Sequence, residues 1–193
     1  MNALPKRRSM TLAEFLDWEE RQEERHEFID GEITAMVGGT ILHSRIAGNL
    51  HVALRSRLRG SPCEVFQEGI KVVTASGAFY PDAFVTCTKL TDADRLVAEP
   101  AVIFEVLSPT TRNRDLITKN RAYRTIGSLS QYVVVSQEDL SVQSFLRKGE
   151  DWTHQIADGA DGILAVPSLG FAIPLSEIYE RTELLAAAQA DEA

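Results

Sequence analysis

The 193-residue chain predicts a mixed α/β (α+β) fold, in which helices flank a central sheet with both parallel and antiparallel strands. Two observations support this class. Strand-like and helix-like segments are interspersed along the chain, and turn signals join several neighbouring strands into antiparallel pairs. Residues 102–135 instead predict a strand, a helix and a second strand, a crossover that is right-handed and makes its two strands parallel.

The first third of the chain predicts a helix, a hairpin and a second helix. Thr11-Leu12-Ala13-Glu14 forms a capping box at the start of the first helix, and the charged run 19–25 after it predicts a solvated helix face. Asp30-Gly31 lies between two strand-like segments, which indicates a tight hairpin. Apolar residues then recur at every fourth position from Leu42 to Leu58, which predicts a long amphipathic helix.

The rest of the chain predicts strands around one central helix. Strand-like segments lie at residues 64–66, 70–73, 82–87, 102–107 and 131–135, with a polar loop at 88–99 and a helix at 114–126. An antiparallel pair at 142–146 and 152–156 and a short helix at 174–179 complete the pattern. We expect a flexible N-terminus at residues 1–10, a single domain over residues 11–185 and a frayed tail at residues 186–193.

Composition narrows the class of protein. An apolar content of 44% and a charged content of 25% are typical of soluble globular proteins, and the net charge of −8 argues against a general nucleic-acid coating protein. An enzyme with a local basic groove is still compatible with that charge. No segment approaches the roughly 20 apolar residues of a membrane span. Two cysteines without a Cys-x-x-Cys spacing, and a basic N-terminus without an apolar secretory segment, predict a reduced, cytoplasmic protein.

Glu105 is a carboxylate in an apolar strand. The run from Ala101 to Leu107 is otherwise apolar and is bounded by Pro100 and Ser108, which predicts a strand buried on both faces. Burying an ionised carboxylate is unfavourable unless a partner compensates its charge. We therefore expect Glu105 to contact a hydrogen-bond network, a cation such as lysine, or a metal ion.

Asp82 is a second acid of this kind, because it opens the apolar strand that follows Tyr80-Pro81. Two carboxylates on two strands, with a lysine further along the chain, suggest a metal-assisted hydrolytic site. Two simpler interpretations stay open at this point: Asp82 is a turn residue, or Glu105 is the buried ion-pair partner of an arginine. The sequence has no zinc-type His/Cys spacing, no glycine-rich phosphate loop and no serine-nucleophile elbow.

These residues carry a family likeness. Together they resemble the Uma-type restriction endonucleases, a branch of the PD-(D/E)xK nuclease superfamily, through Pro81-Asp82, Glu105-Val106-Leu107-Ser108-Pro109-Thr110-Thr111, Asp115, Lys119 and Tyr123. The likeness extends to Glu27-Phe28-Ile29-Asp30-Gly31-Glu32, to His43 and to the strand 131–135. It covers roughly residues 10 to 180, and the combination of these motifs is far more specific than Pro-Asp alone.

The chain departs from the superfamily pattern at one position. The general motif has a lysine two residues after the acid, where this chain has Leu107, and the resemblance implies that Lys119 on the following helix takes its place. The simpler interpretation of Lys119 is an exposed ion pair with Asp115, whose loss would cost less than about 1 kcal/mol. In the same way, Asp115 would serve helix-start electrostatics and Tyr123 would fill the core.

The resemblance implies a restriction-endonuclease-like fold and a metal-dependent endonuclease that acts on phosphodiester bonds, with DNA as the expected substrate. Asp82, Glu105 and the Val106 carbonyl would hold Mg²⁺ or Mn²⁺. Lys119 would orient the attacking water or stabilise developing charge. Glu27 would bind a second metal through water, and His43 would also belong to the site. The expected assembly is a homodimer, the commonest oligomer.

Two other functions remain compatible with the sequence. One is a catalytically inactive binding or assembly module on the same fold, and the other is a metal phosphoesterase for small nucleotides. Convergence of Asp82, Glu105 and Lys119 in space would favour catalysis over the inactive module. A narrow closed pocket at the site would favour the small-nucleotide phosphoesterase over an endonuclease.

Overall fold

The computed structural model describes residues 10–36, 38–67, 69–108, 112 and 114–191. Its helices are α1 (Leu12–Glu19), α2 (Ile41–Arg57), α3 (Asn120–Tyr123), α4 (Leu175–Ile178) and α5 (Glu183–Asp191). A π-helical turn, Arg114–Lys119, leads directly into α3, and a 3₁₀ turn spans Pro167–Leu169. The strands are β1 (His26–Ile29), β2 (Glu32–Ala35), β3 (Glu64–Gln67), β4 (Lys71–Val73), β5 (Gly77–Phe79), β6 (Ala83–Thr86), β7 (Leu96–Val97), β8 (Val102–Val106), β9 (Gln131–Val135), β10 (Ser141–Lys148), β11 (Asp151–Asp158), β12 (Ile163–Val166) and β13 (Phe171–Pro174).

The main sheet has six strands in the order β11-β10-β9-β8-β6-β3. The β8–β9 pair is parallel, as the strand–helix–strand pattern predicts, and the other neighbours are antiparallel. The sheet is therefore mixed and flanked by helices, which confirms the predicted fold class.

The two faces of β8 bury different residues. One face packs against α2 and presents Val102, Phe104 and Val106. The other face packs against the segment that contains α3 and presents Ile103 and Leu107. Glu105 lies between them on this second face, buried to 3% exposure, as strand alternation predicts.

A second sheet, β2-β1-β5-β4-β7, lies on the N-terminal side of the fold. Its hairpin forms at the predicted place, because Asp30 and Gly31 both take positive φ angles of 48° and 94°, as a tight turn requires. At Gly77 of β5 an added Cβ would lie 2.7 Å from the Phe28 carbonyl oxygen, so only glycine fits there. This sheet places β1 and the start of the β5–β6 connection beside the main sheet.

Several local predictions are wrong. The polar loop 88–99 contains β7, and β5, β12 and β13 were not predicted. The charged run 19–25 is not a solvated helix face, because α1 ends at Glu19 and that side chain is buried. The predicted helix 114–126 begins as a π-helical turn and ends at Tyr123.

The predictions for the two ends of the chain have different outcomes. Most of the predicted tail 186–193 belongs to α5, so it is not frayed up to residue 191. Residues 1–9 and 192–193, and Pro109-Thr110-Thr111 of the family motif, lie outside the described residues. The expectation of one domain over residues 11–185 stays a prediction. Among the helices that are described, none is long and apolar enough to cross a membrane.

The prediction of reduced cysteines is also wrong, because Cys63 and Cys87 form a disulfide. The two cysteines flank the β3–β6 pair, in which Glu64 faces Thr86, so they occupy the next cross-strand position of the same register. Nothing in the cysteine spacing indicates this pairing, because the two residues are 24 positions apart. The disulfide joins the edge strand β3 to β6, and Asp82 is the residue directly before β6.

Candidate active site

Asp82 and Glu105 lie on neighbouring strands of the main sheet. The β6–β8 register pairs Ala83 with Phe104, and one further step places Asp82 opposite Glu105. Asp82 Oδ2 accepts a hydrogen bond of 2.6 Å from the Val106 backbone N–H. The Asp82 carboxylate is thereby fixed against the strand that carries Glu105, as a site shared by the two acids requires.

Val106 faces this site with its backbone. In an extended antiparallel pair, the N–H and the carbonyl of one residue point towards the same neighbouring strand. Because the Val106 N–H bonds to Asp82, the Val106 carbonyl also turns towards the β6 side. Its predicted use as an oxygen ligand is therefore compatible with the backbone.

Lys119 is the centre of a buried ionic cluster. Its Nζ lies 2.9 Å from Glu27 Oε1, 3.0 Å from Glu105 Oε1 and 3.3 Å from Asp115 Oδ1. The side chain is only 8% exposed, so the interpretation as an exposed pair with Asp115 is wrong. The pair with Asp115 exists, but it is one of three buried contacts that the ammonium makes.

The π-helical turn explains how two cations reach the same carboxylate. In such a turn the hydrogen bonds run from residue i to residue i+5, which widens the turn and brings side chains five positions apart towards one face. Arg114 Nη2 accordingly lies 3.2 Å from Glu27 Oε2, while Lys119 contacts Oε1 of the same glutamate. The alternation of apolar residues gives no sign of a π-turn, and the sequence therefore predicted an ordinary helix.

Glu27 enters the site from the second sheet. It belongs to β1, is buried, and accepts a weak hydrogen bond of 3.4 Å from the Tyr80 backbone N–H at Oε1. Its Oε1 thus serves Lys119 and Tyr80, and its Oε2 serves Arg114. Both oxygens are engaged, which favours a positioning role over the predicted water-mediated contact with a second metal.

His43 comes from the first turn of α2, on the opposite side of the sheet from Lys119. Its Nε2 lies 3.2 Å from Asp82 Oδ1, and its backbone N–H is capped by the Thr40 hydroxyl at 3.1 Å. Asp82 is therefore held from two directions, by the Val106 peptide and by this imidazole. The side chains of Glu27, Glu105 and Lys119 form one set of contacts, Asp82 and His43 form another, and the Val106 backbone links Asp82 to the strand of Glu105.

Tyr123 combines its predicted place in the core with a polar contact. The expectation of a packed core residue holds, since its ring makes an edge contact with Phe79 at 5.1 Å between centroids. Its hydroxyl also donates a 2.9 Å hydrogen bond to Glu105 Oε1. Both described hydrogen bonds of Glu105 therefore go to Oε1, and Oε2 is the oxygen left for another partner.

Burial and mutual repulsion shift the ionisation of the cluster. Burial raises the pKa of Glu105 well above its usual range, and the charges of Asp115, Asp82 and Glu27 raise it further, against the opposing effect of Lys119. Burial alone would lower the pKa of Lys119, but the adjacent carboxylates outweigh it and raise that pKa. The lysine is therefore held as an ammonium ion, and the raised pKa of Glu105 means that this acid retains its proton to higher pH than usual.

The donor set suits a divalent cation. The cluster holds four carboxylates and two permanent cations, which leaves a formal charge of −2 when every acid is ionised and His43 is neutral. Mg²⁺ binds through one or two carboxylates and keeps several waters, so it needs no cage of protein ligands. In the part of the chain described, no three His, Cys, Asp or Glu side chains form a metal-binding group, so a cation here would depend on two carboxylates, a backbone carbonyl and water.

Comparison with known proteins places this geometry in a family. The model of the Uma2 family, whose description is "Putative restriction endonuclease", matches residues 12–176. Two uncharacterized proteins of Synechocystis sp. are each 32% identical. One match spans 170 residues, or 86% of this chain and 89% of the relative, and the other spans 146 residues, or 73% and 82%.

A solved structure also shares the fold. It is a crystal structure from Anabaena variabilis described as "a putative nuclease belonging to DUF820", and it matches with a TM-score of 0.73 and 18% identity. The match covers 88% of this chain and 97% of that chain. At this level of identity the match shows that the two chains share the restriction-endonuclease-like fold.

Proposed function

Because the chain belongs to the Uma2 family, we propose that it is a Mg²⁺- or Mn²⁺-dependent endonuclease that hydrolyses phosphodiester bonds in DNA. The observation that carries the proposal is the convergence of Asp82, Glu105 and Lys119 at one end of two neighbouring strands. The family description and the shared fold both point to a nuclease. The metal, the substrate and the roles of single residues are parts of the proposal.

Asp82 and Glu105 would hold the cation together with the Val106 carbonyl. The described contacts leave Glu105 Oε2 for this purpose, because Lys119 and Tyr123 both bond to Oε1. When bound, the cation supplies charge neutralisation at the phosphate and activation of the hydrolytic water. Asp82 is the more open of the two acids, with 13% of its side chain exposed against 5% for Glu105.

The remaining residues fix the two acids. Lys119 and Tyr123 hold the Glu105 carboxylate from one side, and His43 and the Val106 N–H hold Asp82. Such preorganisation is what electrostatic catalysis requires, since groups already aligned need no rearrangement as charge develops. Glu27 would act through Lys119 rather than on the substrate.

A stability role alone does not explain the cluster. Buried ion pairs often contribute little net stability, because desolvation offsets the attraction between the charges. An inactive binding module would have no need to keep four carboxylates and two cations together inside the fold. The cluster is therefore better explained by chemistry, which an assay can test directly.

The test is a cleavage assay with wild type, Glu105→Gln and the control Glu150→Gln. Glu150 lies in the exposed turn between β10 and β11, so its substitution removes an equal charge away from the site. Supercoiled and linear duplex DNA, single-stranded DNA and RNA are each incubated with Mg²⁺, Mn²⁺ or EDTA. Thermal unfolding of all three proteins confirms that they are folded.

We expect DNA cleavage by wild type and by Glu150→Gln in Mg²⁺ or Mn²⁺, none in EDTA, and none by Glu105→Gln. Wild type that cleaves no substrate faster than Glu105→Gln would refute the endonuclease and leave the inactive module or the small-nucleotide phosphoesterase. Cleavage of RNA alone would refute the DNA assignment, and cleavage that persists in EDTA would refute the metal.

A further inference from the structure

The cation that the family likeness assigns to catalysis is enclosed by carboxylates. Lys119 Nζ lies 2.9 Å from Glu27 and 3.0 Å from Glu105, and its third contact, 3.3 Å from Asp115 Oδ1, is an ion pair whose geometry does not make a hydrogen bond. The lysine is also almost completely buried. Lys119 cannot reach a substrate phosphate without giving up one of these buried partners, so its position suits it to holding the acids in place.

Arg114 is the second cation of the cluster and is more open. Its side chain is 23% exposed, against 8% for Lys119. Its described ion pair is a single contact, from Nη2 to Glu27 Oε2 at 3.2 Å, and the geometry is too poor for Nη2 to count as hydrogen-bonded. Nη2 itself is buried, so a phosphate would contact the exposed part of the side chain rather than this nitrogen.

Electrostatics also favours a cation at this place. A divalent cation would only balance the formal charge of −2 on the cluster, so the balanced site would have no net positive charge to attract a phosphodiester. A guanidinium presents its donors in a planar fork, which matches two oxygens of a phosphate at once. Arg114 combines this fork with partial exposure and with direct contact to the cluster.

We propose that Arg114 is the residue that binds the substrate phosphate, and that Lys119 is a positioning residue that holds Glu27, Glu105 and Asp115. This assignment rests on the proposed function and adds a division of labour between the two cations. The π-helical turn makes it possible, because it places both side chains beside Glu27 although they are five residues apart.

Arg112 provides a matched control two residues away. It is 44% exposed and forms an ion pair with Glu138, outside the carboxylate cluster. Arg114→Lys keeps the positive charge beside Glu27, which protects folding, but loses the planar fork. Arg112→Lys makes the same chemical change away from the site.

The first measurement is cleavage kinetics with wild type, Arg114→Lys and Arg112→Lys. A charge-stabilising donor in an active site is typically worth about 10²-fold or more in rate, so we expect kcat/KM of Arg114→Lys to fall by about that factor. Arg112→Lys should stay within about twofold of wild type. Mn²⁺ affinity, measured by calorimetry, should be the same in all three proteins.

The second measurement does not need catalysis. In the Glu105→Gln background, binding of a fluorescently labelled DNA duplex is measured between 50 and 200 mM salt, with and without Arg114→Lys or Arg112→Lys. The slope of log K against log[salt] counts the charges that neutralise phosphates, and both substitutions keep their charge, so the slope should change little. We expect weaker binding at every salt concentration for Arg114→Lys, because the planar fork is lost, and no such weakening for Arg112→Lys.

The two measurements separate the two proposals. If wild type cleaves nothing but Arg114→Lys still weakens salt-dependent binding, the proposed activity fails and the phosphate role of Arg114 holds. If Arg114→Lys cleaves and binds like wild type, Arg114 is only a partner of Glu27 and the inference is overturned. Weakened Mn²⁺ affinity in Arg114→Lys would also overturn it, because the arginine would then act through the carboxylates.

Discussion

Replacing Lys119 by methionine removes the one cation that contacts Glu105 among the described residues, and leaves a side chain of similar length. Three carboxylates, at 2.9, 3.0 and 3.3 Å from the missing charge, would lose this partner, and Arg114 would remain beside Glu27 only. Breaking one side of a buried ion pair costs about 3–5 kcal/mol. The prediction of a loss below 1 kcal/mol applied to an exposed lysine and is wrong for this buried one.

The assay is urea and thermal unfolding of wild type, Lys119→Met and the control Lys148→Met, in which the lysine is exposed. For a chain of this size the expected loss lowers the melting temperature by roughly 6–20 °C. Lys148→Met should stay within about 0.5 kcal/mol of wild type. Adding Glu105→Gln to Lys119→Met should recover part of the loss, because it removes one of the unpaired charges.

The pH dependence of the free energy of unfolding provides a second, independent test of the buried cluster. Without Lys119 the pKa of Glu105 rises further, so the folded variant binds more protons than the unfolded chain. Stability is then full below the unfolded pKa of about 4.3 and falls as pH rises towards the folded value. A Lys119→Met protein that loses less than 1 kcal/mol, with the same pH dependence as wild type, would refute the buried cluster.

Four further outcomes are expected. Tyr80→Phe removes a 2.6 Å hydrogen bond to the buried Glu19 and should cost about 1.5–3 kcal/mol in urea unfolding. That bond lowers the pKa of Glu19, so the variant should lose less stability than wild type as the pH falls below about 4. Cys87→Ser removes the disulfide to Cys63 and should cost about 3 kcal/mol without reductant and nothing once both proteins are reduced. Mg²⁺ at tenfold its Kd should stabilise wild type by about 1.4 kcal/mol and Asp82→Asn by less, measured by thermal shift. Light scattering at micromolar concentration should give twice the monomer mass, and a monomer would refute the homodimer.

Local sequence determined much of the fold and the identity of the acids. The capping box, the Asp30-Gly31 turn and the four-residue repeat of α2 depend on neighbouring residues, and each forms where it was predicted. The burial of Glu105 follows from the apolar run around it, and the parallel pairing of β8 with β9 follows from the helix between them. Such features need only contacts within a few residues or one crossover.

Tertiary structure decided what each of these side chains contacts. The burial of Glu19 depends on Lys71, 52 residues away, and the position of Glu27 depends on Tyr80, 53 residues away. Periodicity cannot report such contacts, because it records which face of an element is apolar and not which element packs there. For the same reason the sequence identified Lys119 through a family likeness, but only the fold shows that three carboxylates enclose its ammonium and that Arg114 is the more open cation.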